Sequence, residues 1–170
     1  RLPVTFYKGV DQLPNFEDYG MANRTYRYFT GKPLYPFGYG LSYTKFSYSD
    51  LSVPTQAVAA GQPVAADVTV TNTGKLAGDE VVQVYLKFPQ VKGAPLVALR
   101  GFERIHLDAG ASQKVHFELK PRDLGMVTED GNPIIAQGEY TISIGGGQPD
   151  TGAPVAMGNF HIDGQYALPE

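Results

Sequence analysis

The chain has 170 residues, of which 42% are hydrophobic and 18% are charged, and its formal net charge is −3. This composition fits a globular protein with one good core, and the slight negative charge excludes the basic surface that nucleic acid or an anionic membrane would require. Cysteine is absent, which excludes a disulfide framework and thiolate chemistry. No apolar run approaches the roughly 20 residues that a membrane-spanning helix needs.

The first 45 residues lack a regular period. Residues 2–7, LPVTFY, are predicted to form one buried strand, and residues 11–24 are irregular. Residues 23–46, NRTYRYFTGKPLYPFGYGLSYTKF, combine many aromatic rings with three glycines and two prolines and hold no acid. Because an irregular segment with so many rings is costly to leave uncovered, we expect a preceding domain to cover it. The rings and apolar side chains expected in that contact are Val4, Phe6, Phe16, Tyr26, Tyr28, Phe29, Tyr35 and Phe37.

Seven stretches of alternating apolar and polar residues follow from Phe46 onward, separated by turn residues. They are residues 45–53, 63–74, 79–89, 96–107, 112–120, 139–147 and 154–163. Gly101 indicates a bulge or a bend in the fourth stretch. No segment has a sustained helical period, although residues 121–127 can hold one helical turn. The pattern therefore predicts an all-β protein, an antiparallel β-sandwich of about seven strands of the immunoglobulin or fibronectin type III kind.

Several motifs run in order along the chain, and together they resemble the carboxyl-terminal region of glycoside hydrolase family 3, the β-glucosidases and β-xylosidases. They are RLPVTFY, LPNFEDYGM, NRTYRYFTGKPLYPFGYGLSYTKF, GDEVVQVYL and DGNPIIAQGEYTISIGGG. The resemblance implies that a barrel-like domain and an α/β sandwich domain precede this region. It divides the chain into 1–7, the last strand of the α/β sandwich domain; 8–45, an aromatic-rich interdomain connector; and 46–170, the fibronectin type III-like domain. The absence of an initiating Met agrees with a piece of a longer chain.

The resemblance also implies a function for the parent chain. It would be a retaining, exo-acting β-glycosidase that removes single sugars from non-reducing ends, with this region as an accessory part that stabilises the enzyme. Retaining glycosidases use two carboxyl groups about 5 Å apart, and the resemblance places both in the upstream domains. We therefore assign no catalytic residue, cofactor or metal to this chain. Its expected partners are the upstream catalytic domains and, through them, an oligosaccharide, with no nucleic acid or membrane. A secreted or periplasmic bacterial enzyme is favoured, and the choice between glucoside and xyloside stays open.

The carboxylates of the chain are predicted to lie in solvated turns and at strand ends, and its histidines to be structural. Adjacent acids in a strand point to opposite faces, so they cannot converge on one sugar. We expect Asp79, which follows Gly78 at the start of a strand, to accept backbone N–H bonds. The histidines fall on different strands without the spacing of metal ligands. The side chains concerned are Glu17, Asp18, Asp79, Glu80, Glu129, Asp130, His106, His116 and His161.

Arg24 and Arg27 lie among the aromatic rings of the connector, and three roles are open for them. They can clamp the connector to the upstream domain, contact sugar at the rim of the active site, or lie on a solvated surface. The predicted interdomain contact residues are Arg24, Tyr26, Arg27, Tyr28, Phe29, Tyr35 and Phe37. The alternative function is a non-catalytic carbohydrate-binding or protein-interaction module. Its candidate rings would be Tyr85 and Phe88, or Tyr140, although single rings on strands are ordinarily core residues.

Overall fold

A computed structural model describes residues 1–169 and contains all seven predicted strands. Four shorter strands that the sequence did not predict also occur, and the four-residue helix Pro121–Leu124 agrees with the single turn predicted there. In chain order the strands are β1 (Phe46–Ser52), β2 (Val58–Ala59), β3 (Val64–Asn72), β4 (Gly78–Lys87), β5 (Ala98–Leu107), β6 (Ser112–Leu119), β7 (Met126–Val127), β8 (Pro133–Ile135), β9 (Gly138–Gly145), β10 (Val155–Asp163) and β11 (Tyr166–Ala167).

The long strands form two sheets that pack face to face. One sheet has the order β1-β3-β6, and the other has the order β2-β10-β9-β4-β5. A small sheet, β11-β8-β7, lies beside them. The long strands pair antiparallel, and only the two-residue strand β2 runs parallel to its neighbour β10. The predicted antiparallel β-sandwich is therefore confirmed.

The core lies between the two sheets and is filled by alternate residues of each strand. Tyr140 is at its centre, with its ring stacked on Phe160 at 5.4 Å and edge-on to Phe88 at 5.9 Å. Its hydroxyl donates to the carbonyl of Ala136 at 2.9 Å and accepts from the N–H of the same residue at 3.1 Å. Burying a large apolar side chain stabilises a fold by about 1.5–3 kcal/mol, and the ring's one polar atom is satisfied here.

The bulge predicted at Gly101 is present. Val84 pairs with Gly101 whereas Tyr85 pairs with Leu99, so Arg100 has no partner on β4. The extra residue is the signature of a β-bulge. It places the Arg100 guanidinium 5.1 Å over the ring of Phe88, where burial lowers the pKa of the guanidinium.

Residues 2–7 form no strand within this chain, and the strand expected beside a preceding domain stays a prediction. Phe6 makes one isolated bridge, to Tyr35, and the side chains of Val4 and Phe6 are 51% and 43% exposed. A single bridge to an irregular segment cannot build a ladder of hydrogen bonds, so no strand forms. Beyond it, the connector holds two short helical turns, Val10–Gln12 and Thr25–Tyr28, and is otherwise irregular, as predicted.

No helix within residues 1–169 has the length and the apolar character that crossing a membrane would take.

Candidate functional site

The connector lies on the outer face of β4, and an aromatic cluster joins the two. The Tyr26 ring stacks on Phe37 at 4.2 Å with an interplanar angle of 17°, and it meets the edge of Tyr85 at 6.2 Å. The Tyr26 hydroxyl accepts a hydrogen bond from the backbone N–H of Leu99 at 3.0 Å. Two of the predicted interdomain contacts, Tyr26 and Phe37, therefore pack on the sandwich of this chain.

Gly38 is held against two buried polar side chains of β4. Gln83 donates from Nε2 to the carbonyls of Gly38 and Gly146, at 3.3 and 3.2 Å, and its Oε1 accepts from the Tyr85 hydroxyl at 2.7 Å. Gln83 and Tyr85 are buried although they point away from the sandwich core. Burial raises the pKa of Tyr85, which keeps its hydroxyl protonated and able to donate. Both faces of β4 are thus covered, one by the core and one by the connector.

A partly buried ion pair forms a second contact with the sandwich, and Glu80 is buried in it rather than solvated at the strand end as expected, because Arg1 supplies its counter-charge. The Arg1 guanidinium binds Glu80 through Nη2, and its Nη1 donates to the carbonyl of Gly40 at 3.3 Å. Burial raises the pKa of the Glu80 carboxyl, and the Arg1 charge opposes that rise. The buried hydroxyl of Tyr48 lies beside this pair. Its pKa is raised mainly by burial and, to a lesser extent, by the negative charge of the Glu80 carboxylate.

The other predicted aromatic contacts pack within the connector. Phe29 meets the ring of Tyr7 edge-on at 4.9 Å, and Tyr35 contacts Phe6 and Tyr39 at 6.2 and 5.0 Å. Tyr35 keeps a large part of its surface exposed, and Tyr28 is half-buried.

Arg24 stabilises a loop of the connector itself. Its Nε donates to the carbonyl of Gly20 at 2.9 Å, and Nη2 donates to the carbonyls of Asn15, at 3.3 Å, and Asp18. The carbonyl of Arg27 accepts from the N–H of Leu96 at 2.7 Å, which ties the connector to the loop between β4 and β5. Both arginines are half-buried. Whether either one also contacts an upstream domain stays a prediction.

Exposed apolar side chains are concentrated in the first 45 residues. Eleven of the seventeen exposed large hydrophobic side chains among residues 1–169 lie in residues 1–45. Phe16, Tyr19 and Tyr43 are the extreme cases, with 91%, 90% and 98% of their surface exposed.

The three rings that the sequence offered for binding polysaccharide, Tyr85, Phe88 and Tyr140, are not accessible. Tyr85 and Tyr140 are completely buried, and Phe88 is nearly so. Phe88 and Tyr140 pack in the core, and Tyr85 packs against the connector, so none of the three can stack on a sugar. The structure therefore agrees with the interpretation of these rings as packing residues.

Asp79 has other partners than the backbone N–H groups that we expected. It lies on the outer face of β4, where Arg104 Nε donates to its Oδ2 at 3.0 Å and His106 Nδ1 lies 2.6 Å from its Oδ1. Cross-strand pairing explains the difference, because β5 places the Arg104 and His106 side chains opposite the start of β4. The hydrogen bond from His106, followed by that from Arg104, lowers the pKa of Asp79.

The three histidines pair with separate carboxylates. His116 Nδ1 lies 2.9 Å from Asp67, and His161 lies between Glu139 and Asp163, at 3.8 and 3.4 Å. Within residues 1–169, His, Cys, Asp and Glu side chains form no group of three that could hold a metal ion.

Replacing Asp79 with asparagine should make the chain less sensitive to acid. A carboxyl whose pKa is lowered by folding contributes stability above its ordinary pKa, and this contribution is lost as the pH falls through the lowered value. Asp79→Asn removes that loss, so its melting temperature should fall less steeply than that of the parent below about pH 4. Thermal unfolding followed by circular dichroism between pH 2 and 7 measures this. Asp130→Asn, in an exposed turn, is the control, and an equal acid response in both variants would contradict the prediction.

Comparison with known proteins identifies the class of the sandwich. A family model described as a fibronectin type III-like domain matches residues 80–148. Among relatives, the chain is 41% identical to a xylan 1,4-β-xylosidase of Xylanibacter ruminicola over 85% of its own length and 17% of the relative's. It is 42% identical to thermostable β-glucosidase B of Acetivibrio thermocellus, over 71% of the chain and 17% of that protein.

A solved structure agrees with the sequence relatives. β-Glucosidase 3B from Thermotoga neapolitana, in complex with α-D-glucose, superposes with a TM-score of 0.82 at 30% identity, covering 99% of this chain and 25% of that one. The sandwich is thus a fibronectin type III-like domain. The chain is similar to one part of β-xylosidases and β-glucosidases, which confirms the resemblance to glycoside hydrolase family 3 seen in the sequence. It spans about a fifth of the length of the curated relatives it matches.

Proposed function

We propose that this chain is the carboxyl-terminal accessory part of a retaining, exo-acting β-glycosidase, a β-xylosidase or β-glucosidase, and that it stabilises the catalytic domains. The observation that carries the proposal is the concentration of exposed apolar side chains in residues 1–45. It is supported by relatives that are named as glycosidases and of which this chain matches only a small part.

The arrangement of carboxylates supports a non-catalytic role. Retaining hydrolysis needs two carboxyl groups facing one sugar at about 5 Å. Asp79 and Glu80, which are adjacent in sequence, point to opposite faces of β4, where one pairs with His106 and the other with Arg1. The proposed function therefore takes its nucleophile and its acid/base from domains upstream of this chain.

The connector is proposed to act as a spacer with two packed sides. Tyr26 and Phe37 hold one side on the sandwich. The other side would pack on the catalytic domains, and Arg24, Arg27, Tyr28, Phe29 and Tyr35 are the residues proposed to lie at or near that contact. The domain limits follow the same proposal, with 1–7 as the last strand of the preceding α/β sandwich domain, 8–45 as the connector and 46–170 as the fibronectin type III-like domain.

A triple substitution of exposed rings, Phe16→Ser, Tyr19→Ser and Tyr43→Ser, tests this proposal. In this chain alone the unfolding free energy should change by no more than about 0.5 kcal/mol per site, because the rings are exposed. In the longer enzyme the same change should lower the melting temperature by several degrees, since burying each ring is worth about 1.5–3 kcal/mol. Differential scanning calorimetry of both proteins measures the difference.

The matched control is Phe102→Ser, an exposed ring on β5 outside the connector. It should leave the melting temperature unchanged in both proteins. A triple variant that is as stable as the parent in the longer enzyme would show that the catalytic domains do not cover the connector.

A further inference from the structure

Glu80 is the one acidic or basic side chain among residues 1–169 that is buried, with 3% of the residue exposed. It shares the core-facing side of β4 with Val82 and Val84, and it lies near the beginning of that strand. β9 pairs with β4 only from Gln83 onward, so the sheet is open beside Glu80. A buried carboxylate without a cation costs several kcal/mol, and its position therefore demands an explanation.

The open end of the sandwich holds a cavity of about 470 Å³ around this carboxylate. Its wall is closed by Gly146, where an added Cβ would lie 3.2 Å from Glu80 Oε1 and 3.4 Å from the Tyr48 hydroxyl. That hydroxyl is buried close to the Glu80 carboxylate, whose charge helps to raise the pKa of Tyr48. The charged or titratable groups that face Glu80 are Arg1, at the start of the chain, and Tyr48 from β1.

We propose that Glu80, Tyr48 and the Gly40 carbonyl form a guanidinium-binding socket whose occupant is the Arg1 side chain. The ligand class follows from the geometry, because one nitrogen of the fork binds the carboxylate while the other donates to the carbonyl. Only a planar guanidinium presents two donors in this fixed arrangement, whereas an ammonium is a point charge.

The socket fixes where the first residues of the chain meet the sandwich. Leu2 makes two backbone hydrogen bonds with the connector. Its N–H donates to the Tyr39 carbonyl, and its carbonyl accepts from the Gly38 N–H, both at 2.8 Å. Arg1 then inserts beside Glu80, 79 residues away in sequence. Arg1 is thus a positioning residue, and its directional contact differs from the apolar packing of the proposed function. The socket does not depend on that function, since it lies wholly within this chain.

Chemical rescue tests the socket. Arg1→Ala should lower the melting temperature of the full chain by several degrees, and ethylguanidinium at a few millimolar should restore most of the loss, because a ligand that binds only the folded state stabilises it. Ethylammonium should not restore it, and neither should Arg1→Lys. Ethylguanidinium should not raise the melting temperature of the unsubstituted chain, because Arg1 already fills its socket. Rescue by ethylammonium as effective as that by ethylguanidinium would overturn the proposal.

The double variant Arg1→Ala, Glu80→Gln supplies the second arm. It should be more stable than Arg1→Ala, because it has no buried carboxylate without a counter-ion. Ethylguanidinium should not stabilise it. The difference between the parent and Arg1→Ala should also narrow as the pH is lowered toward 4, because protonation removes the buried charge. If Arg1→Ala does not fold, the NMR signals of the Arg1 Nη protons decide, because the socket should protect them from exchange with water in the unsubstituted chain and not in Glu80→Gln. A double variant no more stable than Arg1→Ala, or equal protection of the Nη protons in Glu80→Gln, would overturn the proposal.

Discussion

Replacing Gly38 with alanine should lower the free energy of unfolding by about 3 kcal/mol or more. Gly38 has a φ of +77°, in the left-handed region that favours glycine. An added Cβ would lie 2.8 Å from the Tyr85 hydroxyl and still closer to Gln83 Oε1. Neither side chain can withdraw, because both are buried and hydrogen-bonded to each other. The methyl group therefore either breaks this pair or lifts the connector from β4.

Urea unfolding followed by tyrosine fluorescence measures the Gly38→Ala effect. Gly131→Ala is the matched control, since its φ is +84° but an added Cβ would have no atom within 4 Å. The control should lose only the backbone strain, about 1–2 kcal/mol. Equal losses in the two variants would mean that the joint does not confine Gly38.

Replacing Asn72 with aspartate should cost about 4 kcal/mol or more at neutral pH. Asn72 is completely buried at the end of β3 and uses its whole amide. Its Oδ1 accepts from Thr44 Oγ1 at 2.6 Å and from the Gly74 N–H at 3.1 Å, and its Nδ2 donates to the carbonyls of Leu76 and Leu107 at 2.8 and 3.0 Å. A carboxylate cannot donate, so it would face the two carbonyls of Leu76 and Leu107 in a completely buried site.

The Asn72→Asp variant should regain stability as the pH falls, because burial favours the protonated form of the new carboxyl and thereby raises its folded pKa. Chemical denaturation at pH 4 and pH 7 measures this. Asn159→Asp, in an exposed position of β10, is the control and should cost less than about 0.5 kcal/mol. If the variant at position 72 behaved like this control, the amide network would have no part in stability.

The sandwich could be predicted from the sequence because each of its long strands has one face in the core and turn residues separate the strands along the chain. In β3 the residues Val64, Ala66, Val68 and Val70 occupy alternate positions, which predicts that they face the core, and all four are buried. The bulge beside Gly101 was also visible, since a strand glycine among bulky residues marks such a site. Local patterns were sufficient wherever the environment of a residue repeats with the strand period.

The joint between connector and sandwich could not be predicted in the same way. Alternation shows that Gln83 and Tyr85 face away from the core, but it cannot show that Gly38 and Tyr26 cover them. The ion pair of Arg1 with Glu80 joins residues 79 positions apart, and no period links them. The strand expected at residues 2–7 stays a prediction for a related reason, because a strand needs a partner strand that its own composition cannot supply.

The sequence by itself determined the all-β class, the seven long strands and the resemblance to glycoside hydrolase family 3, since these follow from local periodicity and from short motifs. Only the tertiary structure decided which rings are core, which pack the connector on β4 and which stay exposed. The physical reason is that burial of a side chain depends on whatever segment crosses over it. In an irregular connector that segment is selected by three-dimensional packing and by buried polar partners, which no local pattern encodes.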